Sequence, residues 1–179
     1  MLTFRARIDR MIQRLDHTEI PLVTKVVILS QPLPLRTLFR VTNFLSDGWI
    51  YLPLVVLLLL ERRWRLLAVT ALAAALCFAL YFLAKFSLAR VRPCHLSGVV
   101  AVQPRCLDRY SFPSGHCMTL TLFSVLLGWH HPAAIPFLLC AVVLLCWARM
   151  ADAYHYPSDL IGGIGLGLAV SVPVARILL

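Results

Sequence analysis

The sequence predicts an all-α integral membrane bundle of about five transmembrane helices with an N-terminal amphipathic interfacial helix. Three observations carry this expectation. Apolar residues make up 60% of the 179 positions and charged residues only 14%, with a mean hydropathy of +0.83. A water-soluble domain is closer to half apolar and a quarter charged. The apolar residues also gather into blocks long enough to cross a bilayer, which takes about 20 residues at a rise of about 1.5 Å each. Finally, most of the 17 basic residues fall in the gaps between those blocks. The length suits a single domain over 1–179, with 1–40 as an interfacial N-terminal segment.

Residues 1–19 alternate basic and apolar side chains. Phe4, Ile8, Met11, Ile12 and Leu15 share one helical face, against Arg5, Arg7, Arg10 and Arg14, which reads as a helix lying in the membrane interface. Residues 20–40 hold a short apolar run, Val26 to Leu29, interrupted by Pro32 and Pro34. Too short to span, this piece is expected to lie along the interface or dip into it. The first span is expected from about Phe44 to Leu60, stopped by Glu61-Arg62-Arg63, and the second from about Leu66 to Leu88. A polar loop, Arg90 to Phe112, leads to a third span from Ser114 to Trp129. After the His130-His131-Pro132 turn, a fourth runs from about Ala133 to Met150. The fifth starts near Ser158, with Gly162, Gly163, Gly165 and Gly167 providing small residues for close helix packing.

A net charge of +9 would suit nucleic acid, but no basic, aromatic-interleaved stripe is present. Lipid headgroups and an anionic substrate fit the scattered cations better. The six cysteines include no Cys-x2-Cys pair and no Cys/His cluster at zinc spacing, so no metal site is expected. Cys77, Cys117, Cys140 and Cys146 lie in apolar runs and read as small core residues. No cleavable signal peptide is apparent, for want of a continuous apolar core at the N-terminus.

Chemistry concentrates in three short pieces. Ser111-Phe112-Pro113-Ser114-Gly115-His116 joins a loop to an apolar segment. Pro113 and Ser114 are helix-start signals, with Ser114 as the N-cap, and Gly115 leaves the backbone uncrowded. The first N–H groups of such a helix suit a phosphate, and His116 would stand beside it as a proton donor. Upstream is Lys85-x6-Arg92-Pro93; downstream is Arg149-x5-His155-x3-Asp159. Lys85, Arg92 and Arg149 would each cost about 2.5–3.5 kcal/mol if left unpaired at bilayer centre, and few acidic residues stand near them in sequence. A bound phosphate is therefore the expected counter-ion, gripped by the two Arg forks and the Lys point charge. His155 and Asp159 come within reach if Pro157-Ser158 turns into a helix; the carboxylate would then fix the imidazole tautomer. Up-and-down threading of five spans brings all three pieces to one membrane face.

In order and internal spacing, the three pieces resemble the signature of the type-2 phosphatidic acid phosphatase family. The superfamily also holds bacterial non-specific acid phosphatases and vanadium haloperoxidases. The resemblance covers residues 85–159, with one departure: Ala148 stands where the family usually has Ser, removing one hydroxyl from the phosphate site. It implies a metal-independent, cofactor-free hydrolase in which His155 is the nucleophile that forms a phosphohistidine. His116 would protonate the leaving oxygen and then activate water, and Asp159 would orient His155. Lys85, Arg92, Ser114, Gly115 and Arg149 would bind the phosphate. The partners implied are a lipid phosphate and the membrane, with no nucleic acid. The lipid stays open among phosphatidate, phosphatidylglycerol phosphate, a polyprenyl pyrophosphate and a lipid A phosphate. A phosphotransferase using the same phosphohistidine, and a non-catalytic phospholipid carrier, are the alternatives.

Orientation is harder to read. Glu61 to Arg65 carries three Arg opposite the motifs and favours that side as cytoplasmic, while seven basic residues within 1–40 lie on the motif side. Resemblance to bacterial members implies a bacterial inner membrane protein whose site faces the periplasm or exterior. In that compartment Cys94 and Cys106, flanking eleven residues of the polar loop, would form a disulfide; two unpaired thiols are the alternative.

Overall fold

The computed structural model describes residues 2–96 and 108–179. Seven α-helices account for most of them: α1 (Leu2–Leu29), α2 (Leu33–Phe44), α3 (Tyr51–Leu60), α4 (Trp64–Leu88), α5 (Gly115–His130), α6 (Ile135–Ala151) and α7 (Pro157–Leu178). Among the described residues the one β feature is an antiparallel bridge between Val91 and Tyr110, which pinches the two ends of the polar loop together. The all-α expectation holds.

Among the described residues four stretches are long and apolar enough to cross a membrane: Leu33–Leu60, Trp64–Leu88, Pro132–Ala151 and Pro157–Leu178. The expected third span is α5, a helix of 16 residues, about 24 Å long at the standard rise. It lies inside the bundle, packed on α4, α6 and α7. Their lipid-facing sides keep large apolar side chains exposed, Phe86, Phe137 and Ile161 among them, the reverse of a water-soluble surface.

Two boundaries differ from the sequence expectation. The amphipathic helix does not end near residue 19 but runs through Pro21 to Leu29. Its C-terminal half buries Val23, Val26 and Val27 against Ala148, Ala151, Ala153 and Tyr156. Arg5, Arg7, Arg10 and Arg14 stay exposed. Residues 33–40, expected as part of a short interfacial piece, belong to α2, the opening helix of the first long stretch. That stretch is not straight: a wide turn over Leu45–Trp49 contains Gly48 at φ 125°, a backbone conformation that a side chain would oppose.

The tightest interface is between α5 and α7. A Cβ on Gly163 would collide with the Ser114 carbonyl, and one on Gly167 would lie 2.8 Å from the Met118 carbonyl oxygen. Gly162 is similarly covered by the Phe112 ring, whereas Gly165 faces open space. Three of the four glycines therefore serve close approach, and Gly165 does not. Cys77 and Cys117 are buried as expected, Cys146 is half-buried, and Cys140 is exposed on the outer side of α6. An outward small apolar residue costs nothing against lipid, so hydropathy could not separate Cys140 from the core set.

Candidate active site

The end of the bundle formed by the C-termini of α4 and α6 and the N-termini of α5 and α7 gathers all three sequence pieces. Each arrives there for a local reason. Lys85 lies in the last turn of α4 and Arg149 in the last turn of α6, where cations complement the helix dipole. Ser114 caps α5, its Oγ accepting from the Cys117 N–H at 3.5 Å, and its own N–H donates to the Asp159 carbonyl at 2.9 Å. That second bond ties the start of α5 to the start of α7.

His155 and Asp159 come one turn apart because α7 begins at Pro157, though slightly farther than the hydrogen bond the sequence leads one to expect. His155 Nδ1 faces Asp159 Oδ2 at 3.6 Å, an electrostatic contact just beyond hydrogen-bond length. On the other side of the ring, Arg92 Nη1 stands 3.1 Å from His155 Nε2. A guanidinium only donates, so Nε2 carries the lone pair and Nδ1 the proton. Burial is the main force pushing the His155 pKa down, to about 4; the Asp159 carboxylate opposes it, and the Arg92 charge adds to it. The imidazole is therefore neutral near neutral pH.

Asp159 is fully buried and held from two sides. Its Oδ2 accepts from the Tyr156 N–H at 2.8 Å, and its Oδ1 accepts from Arg90 Nη1 at 2.8 Å. Arg90 was not singled out in the sequence. With 3% of its side chain exposed, it also donates to Asp16 at 2.8 Å, to Glu19 at 2.6 Å and to Ser158 at 2.6 Å. Glu19 continues the link, accepting from the Ser158 N–H and hydroxyl, both at 2.8 Å. Helix α1 is thus wired to the start of α7. Acidic residues in an otherwise basic segment, Asp16 and Glu19, were the sequence signal for this.

The three expected phosphate-binding cations do not lack protein partners. Asp108 bridges Lys85 Nζ, at 2.9 Å, and the Arg92 fork, at 2.9 and 3.0 Å. Partial burial would raise the Asp108 pKa, but the Lys85 hydrogen bond and the Arg92 charge outweigh it and hold the carboxyl below its ordinary range. Arg149 donates to Ser46 Oγ at 2.6 Å and lies 3.2 Å from Asp47 Oδ1, while its buried Nε has no protein partner. The expectation of few nearby carboxylates fails, because Asp47 and Asp108 are distant in sequence and close only in the fold. Ser46 brings a hydroxyl to Arg149 from a distant part of the chain. Asp152 bonds Asn43 instead and is scaffold.

A cavity of about 580 Å³ opens at this cluster. His116, His155, Arg92, Asp108, Asp47 and Gly115 form its polar end. Tyr51, Leu52, Val55, Ala74, Phe78 and Phe123 form an apolar wall running down between α3, α4 and α5. Ser114 is fully buried and engaged as a cap, so within this group it is the Gly115 backbone that reaches the cavity. Cys94 is disulfide-bonded, and its expected partner Cys106 lies outside the described residues.

Comparison with known proteins follows this geometry. The chain is 29% identical over 168 residues to the decaprenylphosphoryl-5-phosphoribose phosphatase of Mycobacterium tuberculosis, covering 92% of this chain and 93% of that one. It is 28% identical over 143 residues to the undecaprenyl-diphosphatase of Sulfolobus acidocaldarius, covering 76% of this chain and 69% of that protein. The crystal structure of Aquifex aeolicus LpxE superposes with a TM-score of 0.76 at 22% identity, over 89% of this chain and 95% of the other, a likeness of fold. The PAP2 superfamily profile matches residues 62–179, which include all three pieces, and the chain belongs to that superfamily.

Proposed function

We propose that the protein is an integral membrane lipid phosphatase that hydrolyses a phosphomonoester or diphosphate through a phosphohistidine on His155. The observation that carries this reading is the Arg92–His155 pair: a buried, neutral imidazole whose lone pair faces a guanidinium, at the mouth of an apolar-walled cavity. Substrate phosphate draws Arg92 onto its oxygens, with Lys85, Arg149 and the Gly115 N–H completing the cradle. Freed of Arg92, Nε2 attacks phosphorus and the bond to the leaving oxygen breaks, that oxygen taking a proton from His116. His116 then removes a proton from water, whose oxygen attacks the phosphohistidine, and inorganic phosphate leaves as the N–P bond breaks. Asp159 steadies the imidazole throughout. The positive charge of Lys85, Arg92 and Arg149 takes the charge-stabilising role that a metal ion fills elsewhere, so turnover is expected to continue unchanged in EDTA.

The apolar wall supports a lipid rather than a soluble phosphate ester, its tail lying between α3, α4 and α5. The relatives' names favour polyprenyl phosphates and diphosphates within that class. Purified protein in detergent, given a panel of lipid phosphates, is expected to release phosphate from at least one of them. His155→Ala and His116→Ala are each expected to abolish release while leaving a folded protein that still binds phosphate. Binding without release across the panel would favour a carrier, and near-normal release by His155→Ala would rule out the phosphohistidine. We further propose a bacterial inner membrane location with the site facing outward and Cys94 bonded to Cys106.

A further inference from the structure

The stretch Leu33–Leu60 precedes all three sequence pieces, and its Asp47 lies before the region matched by the family profile. Yet it delivers two side chains to the site. The turn at Gly48 interrupts the helix and aims Ser46 and Asp47 at the ends of α5 and α6. Asp47 Oδ1 lies 2.9 Å from His116 Nε2 and 3.2 Å from Arg149 Nη2, so a single oxygen spans the expected acid and one expected phosphate ligand.

A carboxylate on the wall of an anion site repels the substrate, and its presence calls for a compensating role. His116 supplies one. To donate a proton it must first hold one, and the groups around it oppose that: Arg149 from α6, which shares Asp47 with it, and His155 and Arg92, which line the same cavity. The other carboxylates at this end are committed elsewhere. Asp108 bridges Lys85 and Arg92, Asp159 binds Arg90 and faces His155, Asp152 binds Asn43, and Asp16 and Glu19 bind Arg90. Asp47 alone, among the described residues, touches the His116 ring with a carboxylate.

We propose that Asp47 is a positioning residue for His116 and an internal counter-ion of Arg149 that the substrate phosphate displaces. In the empty site Asp47 shares its charge between the two. When phosphate arrives, Arg149 turns to it and Asp47 is left to the imidazolium, holding the proton until the leaving oxygen takes it. After phosphate departs, Asp47 recaptures Arg149 and so limits product retention. The catalytic half of this inference rests on the phosphatase reading; the counter-ion half does not.

The test pairs turnover with anion binding, on detergent-purified wild type, Asp47→Asn and Asp47→Glu. Asp47 is 52% exposed, so the near-isosteric Asn leaves the packing intact. The expected result for Asp47→Asn is a kcat on a lipid phosphate lower by about 10- to 100-fold, part of what acid–base catalysis supplies. The same variant is expected to bind inorganic phosphate about fivefold to tenfold tighter by calorimetry, because a like charge has gone. Asp47→Glu is expected to restore most of the kcat. A merely structural role would lower kcat and weaken phosphate binding together, and that outcome overturns the proposal, as does an unchanged kcat. If wild type turns over no lipid, the phosphatase reading fails by itself. Phosphate binding then still decides the counter-ion claim, tighter binding by Asp47→Asn upholding it and unchanged or weaker binding overturning it.

Discussion

Arg92 Nη1 lies 3.1 Å from His155 Nε2, and this contact settles which imidazole nitrogen carries the lone pair. It also adds positive charge beside a fully buried ring that burial has already pushed to a pKa of about 4. A nucleophile must be deprotonated, so activity through His155 falls only as pH drops through that value. The acidic limb of kcat/KM in the free enzyme is therefore expected near pH 4, far below the ordinary histidine range around 6.5. A pH–rate profile on a lipid phosphate between about pH 3 and 9 checks this; an acidic limb at about 6.5 would mean a solvated, unpaired His155.

The Arg90 cluster makes a stability prediction. One guanidinium, 3% exposed, answers three carboxylates: Asp16, Glu19 and Asp159. Arg90→Met keeps an unbranched apolar side chain but removes the guanidinium, whose carbon overlies the Tyr156 ring at 3.9 Å, and leaves those carboxylates without their cation. Breaking a buried network by removing one partner costs about 3–5 kcal/mol, and a clear fall in the thermal unfolding midpoint in detergent is expected. Glu19→Gln removes only one member and is expected to cost less. Activity in Arg90→Met is also expected to fall, because Asp159 loses one of the two bonds that aim it at His155.

What the sequence made legible follows from how each signal arises. The pieces at 85–93, 113–116 and 149–159 were readable because each is local: a residue type at a fixed spacing at a helix end. Even the fact that they meet was accessible, since span threading fixes which helix ends share a face. The partners of those residues were not accessible. Threading puts Asp108 on the motif face but gives it no partner, and Asp47 and Arg90 touch the site only through long-range packing, with nothing in their neighbouring sequence to distinguish them from solvated loop or interface charges. The helix boundaries failed for a related reason. Pro21 and Pro32 look alike as breakers, yet α1 continues through the first because Val23, Val26 and Val27 gain buried contacts beyond it. α5 matches the expected third span to within one residue at each end; at 16 residues it is short for a crossing, and its apolar faces are buried by neighbouring helices rather than by lipid.

The α5–α7 contact gives a paired test. Gly163→Ala would drive a methyl group into the Ser114 carbonyl, where relief requires α5 and α7 to move apart. That shift separates Gly115 and His116 from His155, so activity is expected to drop at least about tenfold, alongside a destabilisation of about 1–3 kcal/mol from overpacking. Gly165→Ala meets nothing within 4 Å; it should leave activity intact and, by favouring the helix, slightly raise stability. Equal effects from the two would show that the close approach at Gly163 does not position the site.

The last prediction concerns which way the site faces. The turn between α3 and α4 and the first residues of α4 carry Arg62, Arg63 and Arg65 at the end of the bundle opposite the site, which favours a cytoplasmic location for that end. The competing charges on the site side discount themselves. Lys85, Arg92 and Arg149 are held there by carboxylates, and the arginines of α1 belong to a helix docked along α6. The bonded state of Cys94 points the same way, since structural disulfides persist in oxidising compartments. Cys94 also donates its N–H to the Ala153 carbonyl at 3.0 Å, so a bridge there would anchor the polar loop beside His155. The measurement is labelling of intact cells with a membrane-impermeant thiol reagent, scored at Cys94 and Cys106. Labelling from outside is expected only after reduction. If both thiols label without reduction, the outward site stands and the bridge is lost; if they label only once the membrane is broken, the site faces the cytoplasm and the arginines of the α3–α4 turn have misled.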